Sequence, residues 1–209
     1  MCDMYKDMLF IAIKYRLLLV VLSVTANLFL SDYDTSTQLL YHPSLEAAVA
    51  ARNTCWAPHL LASTFDRWDA VHLAGISIDG YVYEHNHAFY PGLPILARAV
   101  CKRVLGPLLQ NSFLACNDRT VLILSYLAIT HVCALLAVPI MLALSRKVLQ
   151  SKDMAEKATL LFILQPSSPF TLAPYTEAPF TLLALAGMYL LERGGTHTHT
   201  HTHTHTHTH

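Results

Sequence analysis

Three features of the sequence predict an all-α, polytopic membrane protein with about four transmembrane helices and a large first luminal loop. Apolar residues make up 54% of the 209 and charged residues only 13%, against roughly 25% charged in soluble domains. The stretch from Thr120 to Leu144 carries no charge, and as a helix its ~25 residues cover ~37 Å, more than the ~30 Å of a bilayer core. Lys and Arg crowd the segment after it, at Arg146, Lys147, Lys152 and Lys157, as they do in short cytosolic loops.

The first span is expected over about 11–30, with Lys14 and Arg16 near one end, where long cations snorkel to the cytosolic interface. The following Ser31-Asp32-Tyr33-Asp34 has no small-x-small cleavage site, so this segment is expected to stay as an anchor. Residues 31–119 form a loop too long to enter the positive-inside count. Within it, Tyr90 to Leu109 is apolar but carries Arg98, Lys102 and Arg103 at helical spacing, which fits an interfacial amphipathic helix. The second span is 120–144. Two shorter apolar pieces, 158–173 and 178–191, flank Pro174-Tyr175-Thr176-Glu177 and read as a helical hairpin. The N-terminus and residues 145–157 are then cytosolic, and the long loop and the turn at Tyr175 share the luminal side. Residues 194–209 are a Thr-His low-complexity tail of the kind a translated ACA-CAC repeat produces. The expectation is a gene model running into a microsatellite, so the tail is set apart from the 1–193 domain.

Several classes of chemistry are disfavoured. The net charge is zero and no Lys/Arg stripe offers a phosphate-backbone footprint, so nucleic acid is not an expected partner. Cys2, Cys55, Cys101, Cys116 and Cys133 contain no CxxC pair. A disulfide among Cys55, Cys101 and Cys116 would require a luminal loop, and spacing does not choose a pair; free, partly buried thiols are the expectation. Glu84, His85 and His87 sit at i, i+1 and i+3, which point apart on helix or strand, so no metal site is expected. No Asn-x-Ser/Thr sequon occurs. His131, mid-span, reads as a neutral packing residue.

Three clusters remain: Phe65-Asp66-Arg67-Trp68-Asp69-Ala70-Val71-His72, Gly80 to Pro91, and Gln165-Pro166 through Phe170 to Tyr175-Thr176-Glu177. If 63–74 is helical, Asp69 and His72 share a face at i, i+3, beside the aromatic surface of Phe65 and Trp68. A carboxylate there suits a general base that takes the proton from an attacking hydroxyl; it equally suits a cap or an ion-pair partner. Asp66 reads as a solvated or helix-terminal charge. The rings of Tyr81, Tyr83, Phe89 and Tyr90 fit either a membrane-interface belt or a substrate platform. Glu177, at a membrane helix boundary, points to a polar cavity.

Taken in order and spacing, Trp68-Asp69-x-x-His72, Gly80-Tyr81-x-Tyr83-Glu84-His85-Asn86-x-Ala88-Phe89-x-Pro91-Gly92-x-Pro94, and Pro166 followed by Phe170, Tyr175-Thr176-Glu177 and Phe180 resemble the GPI mannosyltransferase 2 family. The resemblance runs from about Lys6 to Arg193. It implies a fold similar to the polytopic, dolichol-dependent C-superfamily glycosyltransferases, an endoplasmic-reticulum membrane location and no cofactor or metal. It further implies transfer of the second mannose, in α-1,6 linkage, from dolichyl phosphate mannose to a lipid-linked GPI precursor, with room for an accessory membrane subunit. Asp69 is then the catalytic base, with Trp68, His72, Glu84, Tyr175 and Glu177 as substrate-binding residues. Leu73 stands where an aromatic is usual and Tyr90 where phenylalanine is, while His87 and Asp66 do not match and are left out of the site. The family extends through further membrane helices. The alternative expectation is therefore a truncated, inactive fragment or a non-catalytic membrane subunit of an anchor-synthesis complex.

Overall fold

The longest apolar run becomes the longest helix, and the other helices pack against it. The computed structural model describes residues 2–30, 55–109 and 116–202, with side chains over 4–30, 55–109 and 116–194. The remainder of the expected 31–119 loop and the end of the Thr-His tail lie outside the described residues, as does the side chain of Cys2. In chain order the helices are α1 (Cys2–Phe29), α2 (Trp56–Phe65), α3 (Asp69–Asp79), a 3-10 turn (Glu84–Ala88), α4 (Gly92–Val100), a wide π turn (Cys101–Leu105), α5 (Gly106–Leu109), α6 (Asp118–Leu149), α7 (Lys152–Ile163), α8 (Ser168–Leu172) and α9 (Glu177–Thr202). The described residues are otherwise turns and irregular links.

Two helices are long and apolar enough to cross a membrane, Met4–Phe29 and Asp118–Leu149. Half of the apolar window of the second is buried inside the protein but only 11% of that of the first, so α6 is the central post and α1 lies at the edge. Leu17, Leu18, Val21 and Leu22 of α1 are exposed, a face suited to hydrocarbon. The start of α6 is set by Asn117, whose Oδ1 accepts from the Thr120 N–H at 2.7 Å, a side-chain cap for an otherwise orphaned donor. It ends at Gln150, in the left-handed region at φ 51°. Ser151 caps α7 by accepting from the Met154 N–H at 3.4 Å. The segment expected as one span over 158–173 is divided: α7 stops at Ile163, and residues 164–167 turn the chain before α8.

Tyr126 of α6, fully buried, ties in α3 and α4. Its hydroxyl and that of Ser77 share a 2.7 Å hydrogen bond, and the carbonyls of Leu73 and Pro94 lie 2.9 Å and 3.2 Å away as acceptors. Around this polar knot Ala62, Phe65, Leu73, Leu93, Ala97, Leu122, Ile123 and Leu172 close the main core. The amphipathic stretch expected from Tyr90 to Leu109 is helical from Gly92 on. Arg98 donates to the Ser77 carbonyl at 3.0 Å, while Lys102 and Arg103 are exposed.

Arg16 and two of the cysteines depart from expectation. Arg16 does not snorkel to the cytosolic end. It sits near the middle of the Met4–Phe29 span and turns inward to donate to the Thr171 carbonyl at 2.8 Å, since an intramembrane guanidinium with a protein acceptor in reach avoids the cost of facing lipid. Cys55 and Cys116 are not free thiols but a disulfide closing a sequence separation of 61; the fold brings the residue before α2 and the residue before the Asn117 cap side by side. Cys101 and Cys133 are free.

A cross-link of this loop size contributes up to about 4 kcal/mol through the entropy of the unfolded chain. Non-reducing peptide mapping of the membrane-inserted protein is expected to recover a peptide joining Cys55 to Cys116. Cys116→Ser is expected to lose that peptide and to lower the temperature at which the 55–109 region becomes protease-sensitive.

Candidate active site

Helix α2 is held to α6 along its whole length. The Cys55–Cys116 disulfide pins its start, His59 Nδ1 lies 3.3 Å from Thr120 Oγ1, and at its end Asp66 receives two bonds from Arg119, at 2.6 Å and 2.9 Å. Asp66 is therefore not the solvated charge expected from the sequence. Both partners are mostly buried, and the planar guanidinium meets the carboxylate with two parallel donors. The bend that follows Asp66 carries the site.

Arg67 of that bend is held from three sides. Its Nε donates to the Thr64 carbonyl at 3.2 Å, a terminal nitrogen donates to Asn27 Oδ1 of α1 at 2.5 Å, and its own carbonyl accepts the Tyr175 hydroxyl at 3.4 Å. Trp68 then adopts φ 52°, ψ −123°, a sparsely populated conformation for a non-glycine residue that costs on the order of 1–3 kcal/mol. The strained residue presents its indole to solvent at 66% exposure and lets α3 begin immediately with Asp69. Asp69 is exposed in the first turn of α3, where the unpaired N–H groups and helix dipole favour a negative carboxylate.

His72 lies one turn along, as its spacing predicts. Its ring stacks on Phe89 at 5.6 Å and meets His85 edge-on at 5.0 Å. Tyr83 stacks on His85 at 5.5 Å and Tyr81 on His87 at 5.1 Å; the Tyr81 hydroxyl donates to the Phe89 carbonyl at 2.7 Å. The first two clusters thus meet at His72. Glu84 is exposed in the first turn of the 3-10 segment beside them. His85 and His87 are committed to different stacks, and among the described residues no three His, Cys, Asp or Glu side chains group to hold a metal ion. Asn86 is buried at 1% exposure, and its Oδ1 has no hydrogen-bond partner.

The third cluster joins through Tyr175. Its phenol is pushed up to about 12, chiefly by burial and then by the negative charges of Asp69 and Glu177, so it keeps its proton and remains a donor. The Tyr175 hydroxyl on the Arg67 carbonyl sets the start of α9, with Glu177, against the bend that leads into Asp69. Glu177 opens α9 in its exposed first turn. Arg67, Asn27 and Arg119, which hold the bend, escape sequence reasoning: Arg119 and Asp66 are 53 residues apart, and neither matches a motif. Of the expected residues, Trp68, Asp69 and His72 follow one another from the bend into α3, Tyr175 and Glu177 reach that bend through the Arg67 carbonyl, and Glu84 joins only through the stack of its neighbour His85.

The family profile described as Mannosyltransferase (PIG-V) matches residues 5–207. GPI alpha-1,6-mannosyltransferase 2 of Rattus norvegicus is 33% identical over 193 residues, 90% of this chain and 36% of that protein. The Homo sapiens protein of the same name is 32% identical over 92% of this chain and 37% of its own length. GPI mannosyltransferase 2 of Gibberella zeae is 31% identical over 87% of this chain and 38% of its own. The chain spans little more than a third of the length of the relatives it matches. No solved structure matches.

Burial, and next the neighbouring His85, lower the His72 pKa below its ordinary 6.5, with Asp69 opposing. A histidine held neutral in the folded state loses stability to the proton-binding unfolded chain as pH falls through 6.5, and the loss is absent above it. Thermal-stability scans from pH 8 to 5 are expected to show an acid-side decline that His72→Phe, which keeps a ring against Phe89, makes shallower.

Proposed function

The chain belongs to the PIG-V family of mannosyltransferases, and from that premise we propose that it carries the luminal entrance and catalytic base of an enzyme that adds the second mannose, in α-1,6 linkage, to a lipid-linked GPI precursor. The observation that carries the proposal is the hydrogen bond from the Tyr175 hydroxyl to the Arg67 carbonyl, which sets the turn of Tyr175 and Glu177 against the bend that leads into Asp69, at one end of two membrane-length helices. The donor is dolichyl phosphate mannose. The acceptor hydroxyl attacks the anomeric carbon, the bond from that carbon to the phosphate oxygen breaks, dolichyl phosphate leaves, and Asp69 takes the hydroxyl proton.

The surrounding residues divide the remaining work. Asp69 is exposed and open to the acceptor hydroxyl; Tyr175 keeps its proton and donates; Trp68 and the Tyr81 and Tyr83 rings offer flat apolar faces to a sugar. Glu84 and Glu177 offer acceptors to its hydroxyls. No metal or cofactor takes part in this scheme. The leaving phosphate and the acceptor's remaining contacts fall to segments beyond those described, or to an accessory membrane subunit.

An endoplasmic-reticulum location with the site in the lumen, four spans and a C-superfamily arrangement complete the reading. Supporting it, the disulfide lies at the site's end of α6, as an oxidising lumen favours, whereas Arg146, Lys147, Lys152 and Lys157 lie at the other end, as cytosolic loops favour.

The test uses microsomes from cells lacking their own second-mannose transferase and supplied with this gene product. Asp69→Asn is expected to lower mannose transfer to the monomannosyl acceptor by about 10²–10⁴-fold and to abolish surface display of GPI-anchored proteins. Unchanged transfer in that variant would remove Asp69 from the role of base.

A further inference from the structure

Beneath the turn that delivers Tyr175 and Glu177, packing is close at Leu172, Pro174 and Ala178 but gives way to a cavity on the side that faces α1. A cavity of about 40 Å³ lies against α8, lined among others by Tyr15, Arg16, Gln165, Ser168, Thr171 and Thr181, enough for two or three waters. Across it reaches Arg16 of α1. One terminal nitrogen donates to the Thr171 carbonyl at 2.8 Å, the other reaches Thr171 Oγ1 at 3.4 Å, and Nε is buried without a hydrogen-bond partner. Thr171 is the fourth residue before Tyr175, whose hydroxyl closes the same path onto the Arg67 carbonyl.

Distance decides what Arg16 can do. Asn27, which holds Arg67 beside Asp69, is three turns further along α1, so Arg16 lies about 16 Å below the catalytic face. At that depth its guanidinium does not touch a sugar at Asp69; any effect on the site passes through α8. Neither the motif clusters nor the family resemblance assigns it such a role.

We infer that Arg16 is a positioning residue: from inside the membrane it braces the Thr171 carbonyl across the cavity and so holds the α8–α9 turn, with Tyr175 and Glu177, against the bend that carries Asp69. Helix α1 then grips the site at two levels, Asn27 on the Asp69 bend and Arg16 on the Tyr175 turn. The importance of the brace for mannose transfer rests on the functional reading above. The brace itself is a property of the fold and is measured without turnover.

Single cysteines are placed at Ala173, at the end of α8, or at Ala70, buried beside Asp69, in the full chain with Cys2, Cys101 and Cys133 replaced by Ser and the disulfide kept. Maleimide labelling is followed in permeabilised microsomes. Arg16→Met is expected to raise the labelling rate at Ala173→Cys by about fivefold or more through local opening and to leave Ala70→Cys unchanged. Arg16→Lys, which keeps a donor for the Thr171 carbonyl, is expected to return most of the protection. An equal rise at both positions would make Arg16 a general scaffold residue and overturn the inference. So would no rise at Ala173→Cys, or a Lys variant as open as Met. Asp69→Asn is expected to leave the labelling pattern alone, so failure of the functional reading, seen as intact transfer in that variant, stays separate from failure of the brace.

Discussion

The hydrogen-bonded pair Tyr126–Ser77 is the interaction on which the arrangement depends. The Tyr126 hydroxyl donates to the Leu73 carbonyl and accepts from Ser77, both in α3, and the Ser77 hydroxyl also has the Pro94 carbonyl of α4 within 3.2 Å, so a single point on the central helix anchors α3 and sets α4 beside it. Buried hydroxyls left without partners cost about 1–3 kcal/mol each, and here the acceptors are backbone carbonyls that no substitution removes. Around the knot, apolar side chains from six helices close the core. Loss of register at Tyr126 would displace α3, and Asp69 with it.

The same logic explains why the acid sits on a bend. Helix α2 is pinned at its start by a disulfide and at its end by Asp66 and Arg119, so the three residues that follow have little freedom. Trp68 takes up the geometric mismatch with a positive φ. Strain of this kind persists only where the surroundings over-determine it, and the ties of Arg67 to Thr64, Asn27 and Tyr175 supply that condition. The result is an exposed carboxylate at a helix start on a rigid mount, a good arrangement for a base that must meet substrate and still hold its position.

Part of the candidate site's local geometry is legible in the sequence. Asp69 and His72 stand one turn apart because i, i+3 spacing on a helix places them so, and Glu177 was marked by the rarity of charge at a membrane helix boundary. What was misjudged depended on distant partners. Asp66 looked solvated because Arg119 is far along the chain, the cysteines looked free because spacing alone cannot pair them, and Arg16 looked like an interfacial anchor because Thr171 lies 155 residues away.

By itself, the sequence determined the helical class, the two membrane-length segments, the likeness to a mannosyltransferase family and the residue types of the site. These are matters of composition, periodicity and local spacing, which short-range physics governs. Only the tertiary structure decided that His72 meets the ring stack of the second cluster, that Tyr175 reaches the bend before Asp69, which cysteines pair, and that Arg16 turns inward to the Thr171 carbonyl. Those outcomes depend on contacts between residues tens to more than a hundred positions apart, set by how the helices pack around α6, and nothing in local spacing encodes them.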